Sequence, residues 1–208
     1  MDASLADLPG LWRPLAGLLL ASLVVMGSPG PSTISLTAVG ASFGIRRSLP
    51  YACGLVVGTT VVLLAVAAGL VALVAAIPHG ALALGVLSAA YILYLAVRIA
   101  TAPPLDDRAR PAAAPAFLGG LLLAVANPKA YVAIAAVFAG TTVVAGDPGL
   151  DAAVKTALLG GMIVLIHAGW LLAGVSLSRV LRDPRSARLI NLVLAAALVA
   201  VTAAAFAG

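Results

Sequence analysis

Residues 118–140 read LGGLLLAVANPKAYVAIAAVFAG, an apolar run of membrane-spanning length with an interruption near its middle. The interruption combines an amide, a helix breaker and a full positive charge in Asn127, Pro128 and Lys129. A lysine at the centre of a bilayer costs about 3 kcal/mol or more on insertion scales, so such residues usually face a cavity and have a function. The alternative interpretation is that Lys129 extends to the membrane interface.

The composition of the whole chain is that of an integral membrane protein. Of the 208 residues, 63% are hydrophobic and 9% are charged, and the mean hydropathy is +1.17. A soluble domain of this size would need far more polar surface. The net charge of +5 comes mostly from basic residues in short segments between apolar runs, which indicates membrane topology and argues against nucleic-acid binding. The single cysteine, Cys53, excludes an intrachain disulfide or a cysteine-based metal site, and no metal or cofactor is expected.

Six apolar runs of about 20 residues predict six transmembrane helices, because each can cross a ~30 Å hydrocarbon core and must pair its backbone internally. The runs lie near residues 15–38, 51–76, 81–100, 116–140, 152–176 and 188–207. The predicted fold class is therefore an all-α polytopic membrane protein. A cleaved signal peptide is the alternative for the first run, but the apolar sequence resumes after Pro31, which favours a retained helix.

The basic residues predict the orientation of the chain. Nine of them lie in the segments that follow the first, third and fifth runs, and two lie on the opposite side. The positive-inside rule then places these three segments in the cytoplasm and both termini outside it. Arg46 and Arg47 form the first cytoplasmic loop, where fixing topology is favoured over gating. The segment TAPPLDDRARPAAAP, 101–115, is predicted to be an exposed linker.

Another interruption, MGSPGPSTIS at 26–35, lies within the first run. Because it comes earlier in the chain, it is called the first interruption, and Asn127–Lys129 is called the second. The interrupted runs are the first and the fourth, so each opens a set of three. A repeat with an odd number of spans reverses its orientation, which predicts one transporter domain of two inverted three-helix repeats, about 12–100 and 116–208, with broken helices 1 and 4. Broken helices in matching positions point to a substrate site near the membrane midplane.

The first interruption along the chain offers a helix start to a substrate. Pro29 and Pro31, on either side of Gly30, should unwind a turn and leave unpaired N–H groups where the helix restarts. Together with the hydroxyls of Ser32 and Thr33, such a helix start suits a carboxylate.

The second interruption offers carbonyl groups and a charge. Pro128 displaces the carbonyl of Ala124 from its usual hydrogen bond, and Lys129 adds an ammonium. We therefore expect a carboxylate of a substrate near Lys129 and the helix start.

The order of these motifs resembles that of the LysE/RhtB family of amino-acid exporters. SPGPSTISLTAVGASFGIRRSLPYACGLVVG at 28–58 is similar to the family's first signature, and LLLAVANPKAYVAIAAVF at 121–138 is similar to its Asn-Pro-Lys signature. SAAYILYLAVRIA at 88–100 resembles its third helix, and SRVLRDPRSARLINLVLAAALVAVTAAAF at 178–206 resembles its basic loop and last helix. The resemblance implies a bacterial inner-membrane exporter of amino acids or close relatives, driven by the proton-motive force. It implies substrate-binding roles for Pro29, Gly30, Pro31, Asn127, Pro128 and Lys129.

The absence of a carboxylate from all six runs limits the substrate and the coupling. Many relatives carry an acidic residue after the glycine pair of the second helix, where this chain has Thr59 and Thr60. A proton coupler would then be His167, Lys129 or a group of the substrate, although a lone histidine is more often a packing residue. A buried cationic side chain of the substrate would lack a partner, which favours a neutral, zwitterionic amino acid or derivative. Its carboxylate is expected near Ser32, Thr33 and Lys129, and its amine near the carbonyls of Ala124 or Pro29.

Metal-cation efflux and intramembrane serine hydrolysis are alternatives from other classes. Cys53, His79 and His167 are scattered, and no acidic cluster accompanies them, which disfavours a metal site. A hydrolase would pair Ser28 or Ser32 with His167, but no GxSG-like turn surrounds either serine. We therefore expect a transporter rather than an enzyme.

A membrane assembly protein without transport is the remaining alternative. Gly54 and Gly58 permit close contact between helices, which leaves a homo-oligomer open. Tyr91 and Tyr94 lie on one helix face, where they either line the cavity or anchor the helix at the interface.

Overall fold

A computed structural model describes residues 8–69, 115–177 and 183–207, and between them residues 86, 89–90, 93–94, 96–97 and 99–101. All regular structure in this described part is helical, which confirms the all-α class for it. Most of the third predicted run and of the linker lies outside the described residues.

The described helices are, in chain order, α1 Leu8–Ala21, α2 Pro31–Ala67, α3 Phe117–Ala126, α4 Pro128–Ala139, α5 Pro148–Leu177 and α6 Pro184–Ala207. A π-helical turn, Ser22–Met26, continues α1 to the first interruption. Helices α2 and α5 are long and apolar enough to cross a membrane. The pair α3 and α4, bent by 61°, is a further candidate if it counts as one span.

Helix α2 is folded back on itself at Gly44, whose φ of 71° and ψ of 173° are not helical. The hydroxyl of Tyr51 donates to Ser35 Oγ at 3.0 Å. In a straight helix, these two residues would lie about 24 Å apart along the axis. The arms 31–43 and 45–67 therefore lie side by side and run in opposite directions.

This reversal needs one glycine where the sequence predicts a loop over 39–50. Glycine adopts a positive φ without a steric penalty, so helical structure resumes at the next residue. Ser48 Oγ, which lies 3.1 Å from the carbonyl oxygen of Val39, bonds across the turn. Arg46 and Arg47 are exposed at its tip, as expected for residues between two spans.

Other predicted boundaries shift by a few residues. The first run was predicted from residue 15, but the helix begins at Leu8. The last two runs begin at Pro148 and Pro184, four residues before their predicted starts, because proline is favoured at the first position of a helix. The final residues of the second predicted run lie beyond residue 69, outside the described ranges.

Glycines bring the backbones of neighbouring helices into contact. A Cβ atom at Gly54 would clash with the carbonyl oxygen of Phe117 in α3, and one at Gly120 would clash with that of Tyr51. A Cβ atom at Gly174 in α5 would clash with the backbone of the first arm of α2. The close contacts expected from glycine spacing are thus made within one chain. Each interrupted run packs against a long helix from the other half.

The buried apolar side chains form two clusters. The first includes Leu36, Tyr51, Leu55, Leu123 and Leu171. The second includes Leu18, Leu63, Ile134, Leu159 and Ile163. Along the chain, the first interruption separates Leu18 of the second cluster from Leu36 of the first, and the second interruption separates Leu123 of the first from Ile134 of the second.

The outer surface of the bundle is apolar as well. Val24, Val132 and Leu165 are 68%, 70% and 65% exposed. Helices that are hydrophobic on the outward face as well as the inward face need lipid around them. The chain is therefore a membrane protein.

Candidate functional site

Asn127 joins the two interruptions. Its Nδ2 donates to Ser32 Oγ at 2.9 Å, and its Oδ1 accepts from the backbone N–H of Lys129 at 3.1 Å. The side chain therefore caps α4 and contacts the first turn of α2. It is 4% exposed, so both bonds are shielded from solvent.

The ammonium of Lys129 lies inside the first interruption. Its Nζ donates to the carbonyl oxygens of Ser28 at 2.5 Å and Pro29 at 2.9 Å, and to Ser28 Oγ at 2.8 Å. These three acceptors match the three donors of an ammonium group. The charge predicted to face a cavity is thus directed toward the junction of the two breaks.

The start of α2 has the form that the sequence predicts. Gly30 precedes it in extended backbone, and its N–H donates to Thr33 Oγ1 at 2.9 Å. The N–H groups of Ser32 and Thr33 have no acceptor within the helix, because they belong to its first turn. They form a positive helix end beside Asn127.

The carbonyls of the second interruption differ from expectation, because they have partners within the chain. The oxygen of Ala124 accepts from the N–H of Asn127 at 3.2 Å. The oxygen of Val125 accepts from the hydroxyl of Tyr131 at 2.9 Å. The carbonyl of Pro29, the other expected partner of a substrate amine, accepts from Lys129. In this conformation the lysine takes the place expected for the amine.

A cavity of about 40 Å³ lies at the junction. Its polar lining consists of Ser28, Gly30, Ser32, Thr33, Thr59, Asn127, Lys129 and His167. Its apolar lining consists of Met26, Ala130, Ala133, Ile134, Ile163 and Ile166. The space suits a few water molecules. The structure thus brings most of the predicted site residues together, while Pro29, Pro31 and Pro128 shape the breaks without lining the cavity.

His167, which lines the cavity, uses one ring nitrogen within its own helix. Its Nδ1 lies 2.8 Å from the carbonyl oxygen of Ile163, while Nε2 is buried without a hydrogen-bond partner. The hydroxyl of Thr59 is likewise buried without a hydrogen-bond partner. Thr59 was not predicted as a site residue, and its position directly after Gly58 was the only signal.

The sequence did not predict a role at this site for Ser28 or Trp170. Ser28 Oγ accepts from Lys129 Nζ. The Trp170 Nε1 donates to the carbonyl of Gly27 at 3.0 Å and so supports the first interruption. Trp170 follows His167 by three residues, which places both on one helix face. This three-residue spacing was the sequence signal that could have predicted a role for Trp170.

Other predicted positions lie away from the cavity. Arg46 and Arg47 are at the α2 turn, about 20 Å along the arm from Gly30. Tyr94 is exposed and does not contribute to the lining. Tyr91 lies outside the described residues, so a shared role for the two tyrosines stays a prediction.

The geometry gives the other chemistries no support. Ser28 Oγ contacts Lys129, and Ser32 Oγ contacts Asn127, so neither serine is paired with His167. Within the described ranges, no three His, Cys, Asp or Glu side chains are grouped as a metal site would need.

Comparison with known proteins identifies the family. The model described as "LysE type translocator" matches residues 23–207. Cysteine/O-acetylserine efflux proteins of Salmonella choleraesuis (strain SC-B67) and Salmonella typhimurium (strain LT2) are each 37% identical over 93 residues. Each match covers 43% of this chain and 46% of the relative, so it spans less than half of either protein. No solved structure matches the chain. The family match covers most of the sequence, and the chain belongs to the LysE type translocator family.

Proposed function

We propose that the protein exports neutral amino acids or their derivatives across the bacterial inner membrane and binds them where the two interruptions meet. The observation that carries this proposal is the ammonium of Lys129, which lies on the carbonyls of Ser28 and Pro29 beside the helix start at Ser32. Carbonyl oxygens that can accept from an ammonium group lie here beside N–H groups that can donate to a carboxylate. A zwitterion requires both.

We propose two inverted repeats as the scaffold. In support, α3 packs against the second arm of α2, and the first arm of α2 packs against α5. Each of these contacts joins the interrupted run of one repeat to the middle run of the other. Helices α3 and α4 have 10 and 12 residues, or about 15 and 18 Å, so a span made of both would have Asn127 near the midplane of a ~30 Å core.

Binding would proceed as an exchange of hydrogen-bond partners. The substrate ammonium takes the carbonyls of Ser28 and Pro29, and Lys129 moves to the substrate carboxylate. The N–H groups of Ser32 and Thr33 bind the same carboxylate, since a helix N-terminus favours an anion. Every charge keeps a partner during this exchange, which limits the desolvation cost in a membrane.

The lining of the cavity limits the substrate to neutral side chains. None of the described residues that line it is acidic, so the second ammonium of lysine or the guanidinium of arginine would have no counter-charge among them. The names of the matched relatives, which are efflux proteins for cysteine and O-acetylserine, agree with this class.

Transport would follow from the movement of one half against the other, which alternates access to the site. Lys129 and His167 are the titratable side chains in its lining, so we propose one of them as the group that couples efflux to the proton-motive force. The exposed Arg46 and Arg47 mark the proposed cytoplasmic side.

Uptake into inside-out vesicles tests this function. Vesicles that contain the protein should accumulate labelled serine or cysteine when their interior is acidic and should exclude lysine and arginine. A protonophore should abolish the accumulation. Vesicles without the protein are the control. A preference for lysine would refute the charge argument, and accumulation that resists the protonophore would refute proton coupling.

A further inference from the structure

Two residues that line the cavity each carry a buried polar atom without a hydrogen-bond partner. These atoms are Thr59 Oγ1 and His167 Nε2. The two residues are only 7% and 5% exposed. Buried polar atoms in proteins nearly always have a partner, so these two atoms indicate a group that enters the cavity.

The hydroxyl of Thr59 is not used as helical threonines commonly are. The hydroxyl of its neighbour Thr60 bonds to the carbonyl of Val56 at 2.8 Å in the same helix, which is the usual arrangement. Thr59 makes no such bond. Its hydroxyl can therefore both donate to a bound molecule and accept from it.

The hydrogen-bond partner of His167 fixes which of its nitrogens carries hydrogen. The carbonyl of Ile163 only accepts, so Nδ1 is the donor. Nε2 of the uncharged ring is then an acceptor. Since the cavity already holds the ammonium of Lys129 and has no acidic lining residue, the uncharged ring is the expected form.

We propose that Thr59 and His167 form the subsite for the substrate side chain and select a short side chain that ends in a hydroxyl or a thiol. Such a group donates to His167 Nε2 and accepts from Thr59. A methyl group does neither, and an ether or ester oxygen leaves Nε2 without a donor. Ile134, Ile163 and Ile166 restrict the length of the side chain. This inference rests on the proposed function, because it names the substrate class of the same site.

The test uses reconstituted protein and matched pairs of labelled substrates. Serine and 2-aminobutyrate differ by a hydroxyl in place of a methyl group. In O-methylserine a methyl group replaces the hydroxyl hydrogen, so the side chain has no donor and is longer by one carbon. The wild-type protein should transport serine best of the three. Thr59→Val should lower the ratio of serine to 2-aminobutyrate uptake about tenfold, while Thr60→Val leaves it unchanged. His167→Leu should remove the preference for serine over O-methylserine.

The outcomes separate this inference from the exporter function. Retained uptake of 2-aminobutyrate shows that a variant is folded and active. If Thr59→Val and Thr60→Val have the same substrate ratios as the wild type, the subsite is refuted and the exporter function stands. If the wild-type protein transports none of the three amino acids, the exporter function fails and the subsite with it.

Discussion

The Nζ atom of Lys129 lies 2.9 Å from the carbonyl oxygen of Pro29, a residue 100 positions earlier in the chain. This hydrogen bond joins the interruption before α4 to the one before α2. Carbonyl oxygens satisfy an ammonium group without an acidic side chain. A chain with no carboxylate in its apolar runs can therefore hold a lysine between its helices.

Removal of the Asn127 side chain should destabilise the junction. The variant Asn127→Ala loses the cap of α4 and the bond to Ser32, and we expect about 1–3 kcal/mol less stability. A double-mutant cycle with Ser32→Ala isolates the bond between the two side chains, with a coupling of about 1 kcal/mol. The free energy of unfolding in detergent, measured for the four proteins of the cycle, gives this coupling. Strictly additive effects would mean that Asn127 and Ser32 do not interact.

A methyl group at Gly30 should displace Lys129. The Cβ of Gly30→Ala would lie 2.7 Å from Lys129 Cδ and 2.9 Å from Nζ. The backbone of Gly30 is extended, so alanine fits there without strain. The flexible lysine then has to move, and amine-reactive reagents should modify Lys129 faster, as mass spectrometry can measure. Gly17→Ala has open space around its Cβ and should not alter the rate. Equal rates in both variants would contradict the proximity of Gly30 and Lys129.

Trp170→Phe should slow transport without unfolding the protein. Phenylalanine keeps an aromatic ring but cannot donate to the carbonyl of Gly27, so the first interruption loses one support. We expect up to about a tenfold loss of initial uptake rate, the equivalent of one hydrogen bond. The exposed Trp12 provides the control, Trp12→Phe. Identical rates for the two variants would show that the indole N–H of Trp170 is dispensable.

An ion pair outside the site should be important for stability rather than for transport. Asp151 Oδ2 lies 2.7 Å from Lys155 Nζ, and Asp151 Oδ1 accepts from the N–H groups of Val143 and Val144. Lys155→Met leaves the carboxylate without its counter-ion and should lower the melting temperature in detergent. Asp147, which is exposed, provides the control Asp147→Asn.

The double variant Asp151→Leu with Lys155→Leu is the decisive comparison for this pair. Replacement of both buried charges by apolar side chains often restores stability that the loss of one partner removes. We therefore expect a melting temperature above that of Lys155→Met. A lower value would mean that the loop contacts of Asp151 contribute more than the ion pair.

The location of the breaks could be predicted from the sequence, because proline and apolar run length are local signals. Pro31 and Pro128 start helices where expected, and Pro29 lies in the break between Met26 and Pro31. The reversal at Gly44 was predicted as a longer loop, because nothing local indicates that one glycine is enough to reverse the chain.

The partners of the charged and polar side chains could not be predicted, because they depend on how each helix is rotated. Lys129 was expected near a substrate carboxylate, and the structure places its ammonium on carbonyl oxygens. Thr59 and Thr60 look alike in the sequence, yet only Thr59 faces the cavity. Lys155 was predicted only as one of the two basic residues on the non-cytoplasmic side, and the structure makes it a buried partner of Asp151.

The most direct test of the account is the binding of labelled serine to purified protein at equilibrium, measured for the wild type, Lys129→Ala and Arg13→Ala. Arg13 is an exposed cation outside the cavity, so its removal controls for net charge. The account predicts saturable binding to the wild type and to Arg13→Ala, and affinity weakened by about tenfold or more in Lys129→Ala because the carboxylate loses a charged partner. Equal affinity in all three proteins would contradict it, since the substrate would then bind without the lysine that joins the two breaks.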